Sequence, residues 1–379
     1  MTTKELQLPF FARSSLFLIG FFALIAMLYI AQGIIVPFVF SLIFAIVLHP
    51  LVNFFVRLKI HRIIAIVLTL VITFLVLVIL GLFIFSQAMR FGETWSNMVL
   101  RITSLFNEIT NWASGYFAIS PAKISEWINK SKGDVIDNSG TTIGQTLLVV
   151  GNSLVVVLVI PVYIFMLLFY HPLIIEFIRR LFGDTHRSMV TQIITEVKTV
   201  IQLYLTGLAI EVIIISILHS IGLLMLGIPF AILLGIIGAL LNLIPYIGGI
   251  VAVALPMMIA LATKTSPWAA VYVLIVYYII QLIDNNYVVP KIVASKVKIN
   301  ALVSVITVLA FGALWGISGM FLSIPITAIF KVIFDHIDPL KPWGYLLGDT
   351  MPKSAEVNLN LNEIIKKVIP KVKKRGRET

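Results

Sequence analysis

The 379-residue sequence contains no cysteine. This absence excludes disulfide bonds, a cysteine nucleophile and thiolate ligands for a metal ion. Charged side chains are also scarce at 12% of residues, whereas a soluble globular chain carries about 25%. Hydrophobic residues make up 60% of the chain, and many of them form runs close to the roughly 20 residues that a helix needs to cross a bilayer. The composition therefore predicts a protein that lies mostly in lipid.

Motifs for familiar enzyme chemistry are also missing. The sequence has no glycine-rich loop ending in Gly-Lys-Ser or Gly-Lys-Thr, which disfavours pumping driven by ATP hydrolysis. It has no His-Glu-x-x-His motif of a zinc protease. We therefore expect no catalytic residues, no metal site and no cofactor. An intramembrane enzyme or a scaffold that transports nothing remains an alternative.

Acidic residues are few, 17 against 28 basic ones, and the net charge is +11. In a soluble protein this excess would suggest nucleic acid, but here much of it lies in a C-terminal tail beside the membrane. The positive-inside rule favours a cytoplasmic tail, with contact to anionic lipid as a second interpretation and nucleic acid as a distant third. The basic residues concerned are Lys366, Lys367, Lys371, Lys373, Lys374, Arg375 and Arg377.

The apolar runs and the loop charges predict four regions. Residues 1–89 form N-terminal transmembrane helices, and residues 90–146 form an extramembrane helical insert outside the cytoplasm. Residues 147–337 form a C-terminal transmembrane region, and residues 338–379 form the basic tail. Basic loops between the spans place both termini in the cytoplasm.

Two apolar segments, residues 229–263 and 300–335, do not fit simple spans. The first would run roughly 52 Å as one helix, well beyond a hydrocarbon core of about 30 Å, and Pro245, Gly248 and Gly249 interrupt its middle. We interpret both segments as broken, re-entrant helical hairpins, with eight ordinary spans as the alternative. The predicted fold is an all-α polytopic integral membrane protein with about eight transmembrane segments, including these two hairpins.

Polar residues inside apolar helices mark candidate functional positions, because burying them in lipid is costly. Asp284, Asn285 and Asn286 follow an apolar helix, although they could also lie at the headgroups. Glu211 lies well inside the fifth span, and His219 is eight residues further on. Such a pair could transfer protons or could form a structural hydrogen bond.

Three motifs include or adjoin these positions: Leu243–Gly249, Asp284–Asn286 with Val289–Ile292, and Gly312–Met320 with Ile324–Pro325. With these motifs the sequence resembles the autoinducer-2 exporter (AI-2E) family of bacterial membrane proteins, over nearly the whole chain. The family often has glutamate at the position of Asp284. The resemblance implies an inner-membrane protomer with two hairpins around a central site, a homo-oligomer that is a pentamer, and elevator-like movement of the hairpin region. Members of the family are linked to export of autoinducer-2 or to exchange of sodium or lithium for protons.

The leading hypothesis is a secondary transporter that exports a small polar molecule similar to autoinducer-2 and is coupled to protons. A monovalent cation/proton antiporter is the alternative. Besides the substrate and other copies of the chain, membrane lipid is an expected partner. The coupling candidates are Asp284, Glu211 and His219. The predicted substrate-binding residues are Asn242, Pro245, Tyr246, Gly248, Gly249, Asp284, Asn285, Asn286, Gly312, Gly316, Ser318 and Gly319.

Overall fold

The computed structural model describes residues 9–117, 158–244, 248–293 and 298–350. In these ranges the chain is almost entirely helical, and only an isolated bridge between Ile299 and Gly348 has extended pairing. A π-helical segment, Asp284–Val293, follows α9 directly. The α-helices are α1 (Phe10–Ile30), α2 (Gln32–Arg57), α3 (Arg62–Phe117), α4 (Leu158–Phe169), α5 (His171–Leu181), α6 (Arg187–Met225), α7 (Ala231–Asn242), α8 (Gly248–Thr263), α9 (Trp268–Ile283), α10 (Ala301–His336) and α11 (Lys341–Leu347).

Within the described ranges, six helices are long and apolar enough to cross a membrane: α1, α2, α3, α6, α9 and α10. The number is seven if α4 and α5, which meet at an angle of 64°, count as one broken span. The prediction of an all-α polytopic membrane protein is therefore confirmed. The eight predicted segments correspond to α1, α2, α3, α4, α6, the α7–α8 pair, α9 and α10.

Helix α6 is the centre of the packing, since it contacts α2, α5, α7, α9, α10 and the π-helical segment. Its buried residues recur every three or four positions, as expected for a helix that buries one face. Close approach depends on small residues: a Cβ atom on Gly235 of α7 would overlap the Ser220 side chain of α6, and one on Gly222 of α6 would lie 2.5 Å from Val276 of α9. Small residues at such crossings are typical of membrane helix packing.

The segment Ala231–Thr263 folds back on itself, and we call it the first folded-back segment. A Cβ atom on Gly248 would overlap the carbonyl oxygen of Leu241, although residues seven apart in a straight helix are about 10 Å apart along the axis. The two ends of the segment also meet, because a Cβ atom on Gly227 would be 3.1 Å from Lys264 Nζ. Its helices α7 and α8 have 12 and 16 residues, or about 18 and 24 Å, so neither spans the hydrocarbon core alone.

The segment Ala301–His336 is the second folded-back segment. Its backbone leaves the helical region at Trp315 and at Gly316, where φ is +61°. Beyond this point the chain reverses, since a Cβ atom on Gly319 would overlap the carbonyl oxygen of Phe311. Asn300 at the start of the segment donates from Nδ2 to the carbonyl of Gly348 at 3.0 Å. That contact is impossible if α10 is straight, because 36 residues would separate the ends by about 54 Å.

Two helices extend beyond the membrane spans that the sequence predicts. Helix α3 continues without a break to Phe117, so the boundary predicted between residues 89 and 90 falls inside a helix. The fifth span, which contains Glu211, is part of a longer continuous helix, α6, that begins at Arg187. The apolar run ends before the end of α3 and begins after the start of α6. Hydropathy indicates the part of a helix that faces lipid and does not indicate the length of the helix. Most of the predicted insert, residues 118–146, lies outside the described residues.

Candidate functional site

A cavity of about 970 Å³ lies between α6, α8, α9 and the π-helical segment. Residues at the start of α10, together with Asp349 beyond α11, also line it. Its volume lies near the upper limit of the range of about 300–1,000 Å³ that is usual for small-molecule sites. The polar side chains of its described lining are Tyr204, Glu211, Asn242, Tyr277, Tyr278, Gln281, Asp284, Asn285, Ser304 and Asp349.

The cavity contains a pair of buried carboxylates that share one amide group. Asn242, the last residue of α7, donates from Nδ2 to Asp284 Oδ2 at 2.8 Å and approaches Glu211 Oε1 at 3.4 Å. Because both distances are measured from one nitrogen, the two carboxylate oxygens cannot be farther apart than the sum of the two distances. Glu211 and Asp284 are only 5% and 1% exposed. The turn of the first folded-back segment is therefore held against α6 and the π-helical segment by this one amide.

The carboxylates have few other partners. Gln281 Nε2 is 3.5 Å from Asp284 Oδ2 and donates to Asn285 Oδ1 at 3.2 Å. Asp284 Oδ1 is buried and has no hydrogen-bond partner among the described residues. The described lining of the cavity includes no lysine, arginine or histidine. An amide cannot neutralise two negative charges, so the pair needs a positive partner such as a proton, a metal cation or a cationic group of a ligand.

Helical spacing explains how the chain brings these groups together. Tyr204, Leu208 and Glu211 are three or four residues apart on α6 and face the cavity together. On α9 the same spacing aligns Tyr277 and Gln281 with Asp284. The helix then widens into π geometry, which is rare and is frequent at functional sites. Asp284 is the first residue of that widened turn.

Five of the predicted residues meet in this cavity: Asn242, Gly249, Asp284, Asn285 and Glu211. A Cβ atom on Gly249 would be 3.0 Å from Gln281 Oε1, so this glycine leaves room for the glutamine amide. Asn286 is exposed and donates to the carbonyl of Leu282 at 2.8 Å, on its own helix and away from the cavity lining. Pro245 and Tyr246 lie outside the described residues.

The predicted residues of the second folded-back segment lie elsewhere, and none of them is in the lining of the cavity. These residues are Gly312, Gly316, Ser318 and Gly319. Trp315 in the same turn donates from Nε1 to the carbonyl of Leu28 in α1 at 3.1 Å, and it packs in a core shared with α2 and α6. The structure therefore connects this turn to α1 and α2.

His219 does not meet Glu211. Eight residues along a helix correspond to about 12 Å, and the His219 ring stacks on Tyr277 with centroids 4.1 Å apart. The histidine Nδ1 and the Tyr277 hydroxyl are both buried without a hydrogen-bond partner among the described residues. No direct contact between Glu211 and His219 therefore supports the proton transfer considered from the sequence.

Sequence reasoning did not include Gln281, Tyr204 and Tyr277 in the site. A usable signal was present, because Gln281 precedes Asp284 by three residues and Tyr277 precedes it by seven, which places all three on one helix face. Tyr204 likewise precedes Glu211 by seven residues, on α6. In the described part of the chain, no group of three or more histidine or acidic residues is arranged to hold a metal ion.

Known proteins with similar sequences have names that describe them as transport proteins or permeases. The family described as "AI-2E family transporter" matches residues 17–338. "Putative transport protein YueF" of Bacillus subtilis (strain 168) is 24% identical over 320 residues, which cover 79% of this chain and 84% of that protein. "Putative transport protein YhhT" of Escherichia coli (strain K12) is 25% identical over 345 residues, which cover 87% of this chain and 93% of that protein. "Putative permease PerM" of the same E. coli strain is 24% identical over 247 residues, which cover 62% of this chain and 69% of that protein.

Proposed function

Because the chain belongs to the AI-2E family of transporters, and is thus a multi-pass membrane transport protein, we propose that it exports a small polar molecule similar to autoinducer-2 through the cavity between α6 and α9. The observation that carries this proposal is the buried carboxylate pair with its shared amide. A hydroxylated substrate would supply the hydrogen-bond donors that these oxygens lack. In this function Asp284, Asn285, Gln281 and Asn242 bind the substrate and the protein catalyses no reaction.

Proton coupling is the second part of the proposal. Two carboxylates this close need a positive partner, and a proton that one of them takes up on one side of the membrane can be released on the other. Asp284 is the main coupling residue, since its Oδ1 atom is unpaired among the described residues. Glu211 is the second. His219 is a weaker candidate because it contacts Tyr277 and not the carboxylates.

We further propose that both folded-back segments are re-entrant hairpins in the bacterial inner membrane, with both termini in the cytoplasm. The adjacent ends of each segment support this topology, which puts Lys291 and Lys298 on the cytoplasmic side, where basic residues are favoured. Elevator-like movement and a pentameric homo-oligomer are proposed from the family resemblance.

A monovalent cation/proton antiporter is the second candidate function. It is favoured by a specific feature of the same site, namely two carboxylates beside amide oxygens with no basic residue in the described lining. Oxygen ligands suit hard monovalent cations as well as hydroxylated substrates. The two candidate functions use the same residues and differ in the group that interacts with the two carboxylates, which is a polar substrate in one and a monovalent cation in the other.

Flux measurements in proteoliposomes distinguish the two functions. We expect a pH gradient to stimulate autoinducer-2 flux, and Asp284→Asn to reduce that flux about 10- to 100-fold, as loss of a charge-assisted hydrogen bond implies. Asparagine has nearly the same shape, so the fold should be retained. Asp338→Asn is the matched control, because Asp338 is an exposed residue that pairs with Lys341 and is not part of the cavity lining. Sodium-driven proton movement without autoinducer-2 flux would instead support the antiporter.

A further inference from the structure

A second cavity, of about 390 Å³, lies between α2, α4, α5, α6 and α10. We call it the apolar pocket. Isoleucines from four of these helices contribute much of its wall, and all but three of its lining residues are apolar. The exceptions are His49, His171 and Lys198, and the described lining includes no acidic residue. An apolar pocket with a cationic group suits a molecule that has a hydrocarbon chain and an anionic head.

The polar residues of the pocket form one cluster. The rings of His49 and His171 have centroids 4.7 Å apart, and Lys198 Nζ is 3.2 Å from His49 Nδ1. Arg62 lies beside the pocket as well, since its Nη2 donates to the carbonyl of Leu168, a lining residue, at 2.9 Å. Two lysine or arginine cations thus face two histidines, and no carboxylate among the described residues forms an ion pair with either Lys198 or Arg62.

The cluster still has hydrogen-bond donors that are available to an anion. Asn53 Nδ2 is 3.1 Å from His49 Nδ1, on which Lys198 also converges. Ammonium and amide nitrogens only donate, so Nδ1 must be the acceptor. Lys198 therefore uses one of its three donors on His49 and retains two. Phosphate or carboxylate oxygens are natural partners for those donors.

Helix α5 places the pocket at the level of lipid headgroups. Its residues Ile174, Ile175 and Ile178 line the pocket, whereas Leu173 and Phe177 are more than 60% exposed and project away from it. The charged side of the helix is exposed as well: Arg180 Nε donates to Glu176 Oε1 at 3.0 Å. A helix with two apolar edges and a charged side, bent by 64° from the preceding span, has the form of an interfacial helix.

We propose that the apolar pocket binds one acyl chain of an anionic phospholipid, with the lipid phosphate on Lys198, His171 and Arg62. The cytoplasmic leaflet, to which basic loops are assigned, is the leaflet that attracts basic residues through its anionic lipids. A zwitterionic lipid would bring an ammonium group to a cluster that is already cationic. The site is separate from the carboxylate cavity and is independent of which substrate the protein transports.

The test is photo-crosslinking in nanodiscs that contain phosphatidylglycerol with a diazirine on its acyl chain. We expect the labelled peptides to concentrate on residues 174–178 and 189–197. Lys198→Gln should lower this labelling about fivefold, the effect of one basic residue near a lipid surface. Ile193→Trp, which fills the pocket, should also lower it. Arg13→Gln is the control, since Arg13 is an exposed cation near the start of α1, away from the pocket.

Labelling that is equal with phosphatidylcholine, or unchanged in Lys198→Gln, would overturn the proposal. Crosslinks from the pocket to a second copy of the chain in place of lipid would overturn it as well. Elution of each variant as a single peak in size-exclusion chromatography shows that the fold is retained. Should Ile193→Trp fail to fold, the comparison of Lys198→Gln with Arg13→Gln decides alone.

Discussion

The neighbouring glycines Gly248 and Gly249 offer a sharp test of the first folded-back segment. A Cβ atom on Gly248 would overlap the backbone carbonyl of Leu241, whereas one on Gly249 would be 3.0 Å from Gln281 Oε1, the end of a flexible side chain. The two glycines are successive residues at the start of α8. Replacement by alanine therefore changes intrinsic helix propensity by a similar amount at each position, at most about 1 kcal/mol. The difference between the two variants isolates the steric term.

The steric term can be estimated from the obstacle at each position. Overpacking against a rigid neighbour costs about 1–3 kcal/mol, and a backbone carbonyl cannot rotate away as the Gln281 amide can. For a chain of this size about 1 kcal/mol corresponds to about 2 °C in Tm. We expect Gly248→Ala to melt about 2–6 °C below Gly249→Ala. The sequence predicts that Gly248 is part of the binding site. In the structure the nearest atoms to this glycine are backbone atoms of α7, where α7 and α8 cross.

The assay is thermal unfolding in mild detergent, followed by intrinsic fluorescence and combined with flux in proteoliposomes. Gly249→Ala should keep its Tm and lose flux, because the added methyl group displaces Gln281 from Asp284 and Asn285. Equal Tm values for the two variants would show that Gly248 does not lie against Leu241, and the argument for the reversal at this point would fail.

Three further predictions concern other positions. Asn285→Ala should reduce flux, since Asn285 lines the cavity, whereas Asn286→Ala should leave flux within about twofold of the native protein, because its amide bonds its own helix; similar flux in both would contradict the placement. Trp315→Phe should lower Tm by about 2–6 °C, because it removes the donor for Leu28, one of the last four carbonyls of α1 that have no partner in their own helix. Lys298→Cys, the single cysteine in the chain, should react with an impermeant thiol reagent only after permeabilisation; labelling of intact cells would refute the re-entrant topology.

Local chemistry explains which parts of the site were predictable from sequence. Asp284 and Asn285 stand out because burying polar side chains in an apolar helix is costly. Asn242 stands out because it precedes a proline and a glycine pair that end helices, and Gly249 because it belongs to that pair. The spans themselves follow from the length of the apolar runs. Each of these signals lies within a few residues of sequence.

Contacts between distant segments were not predictable in the same way. No local pattern indicates that Asn242 is shared by Glu211, 31 positions away, and Asp284, 42 positions away. The glycines of the second folded-back segment carry an ambiguous signal for a related reason. A chain reversal needs glycine whether or not a ligand binds there, as the positive φ of Gly316 illustrates, so the same pattern indicates a turn and a binding site equally.

The two reversals are held by different forces, and this difference bears on which of them can open. Asn242 connects the first to the carboxylates through two polar contacts, and a hydrogen bond to a charged group is worth about 1.5–3 kcal/mol. A ligand or proton that bonds the carboxylates in place of Asn242 restores most of the free energy that is lost when these hydrogen bonds break. Trp315 connects the second through an indole buried among residues of α1, α2 and α6, and burial of an aromatic side chain in a core is worth about 3–5 kcal/mol on truncation, with no ligand to replace it. In the proposed mechanism, movement that depends on the contents of the cavity therefore belongs to the first folded-back segment, where binding and release act on the same side chain.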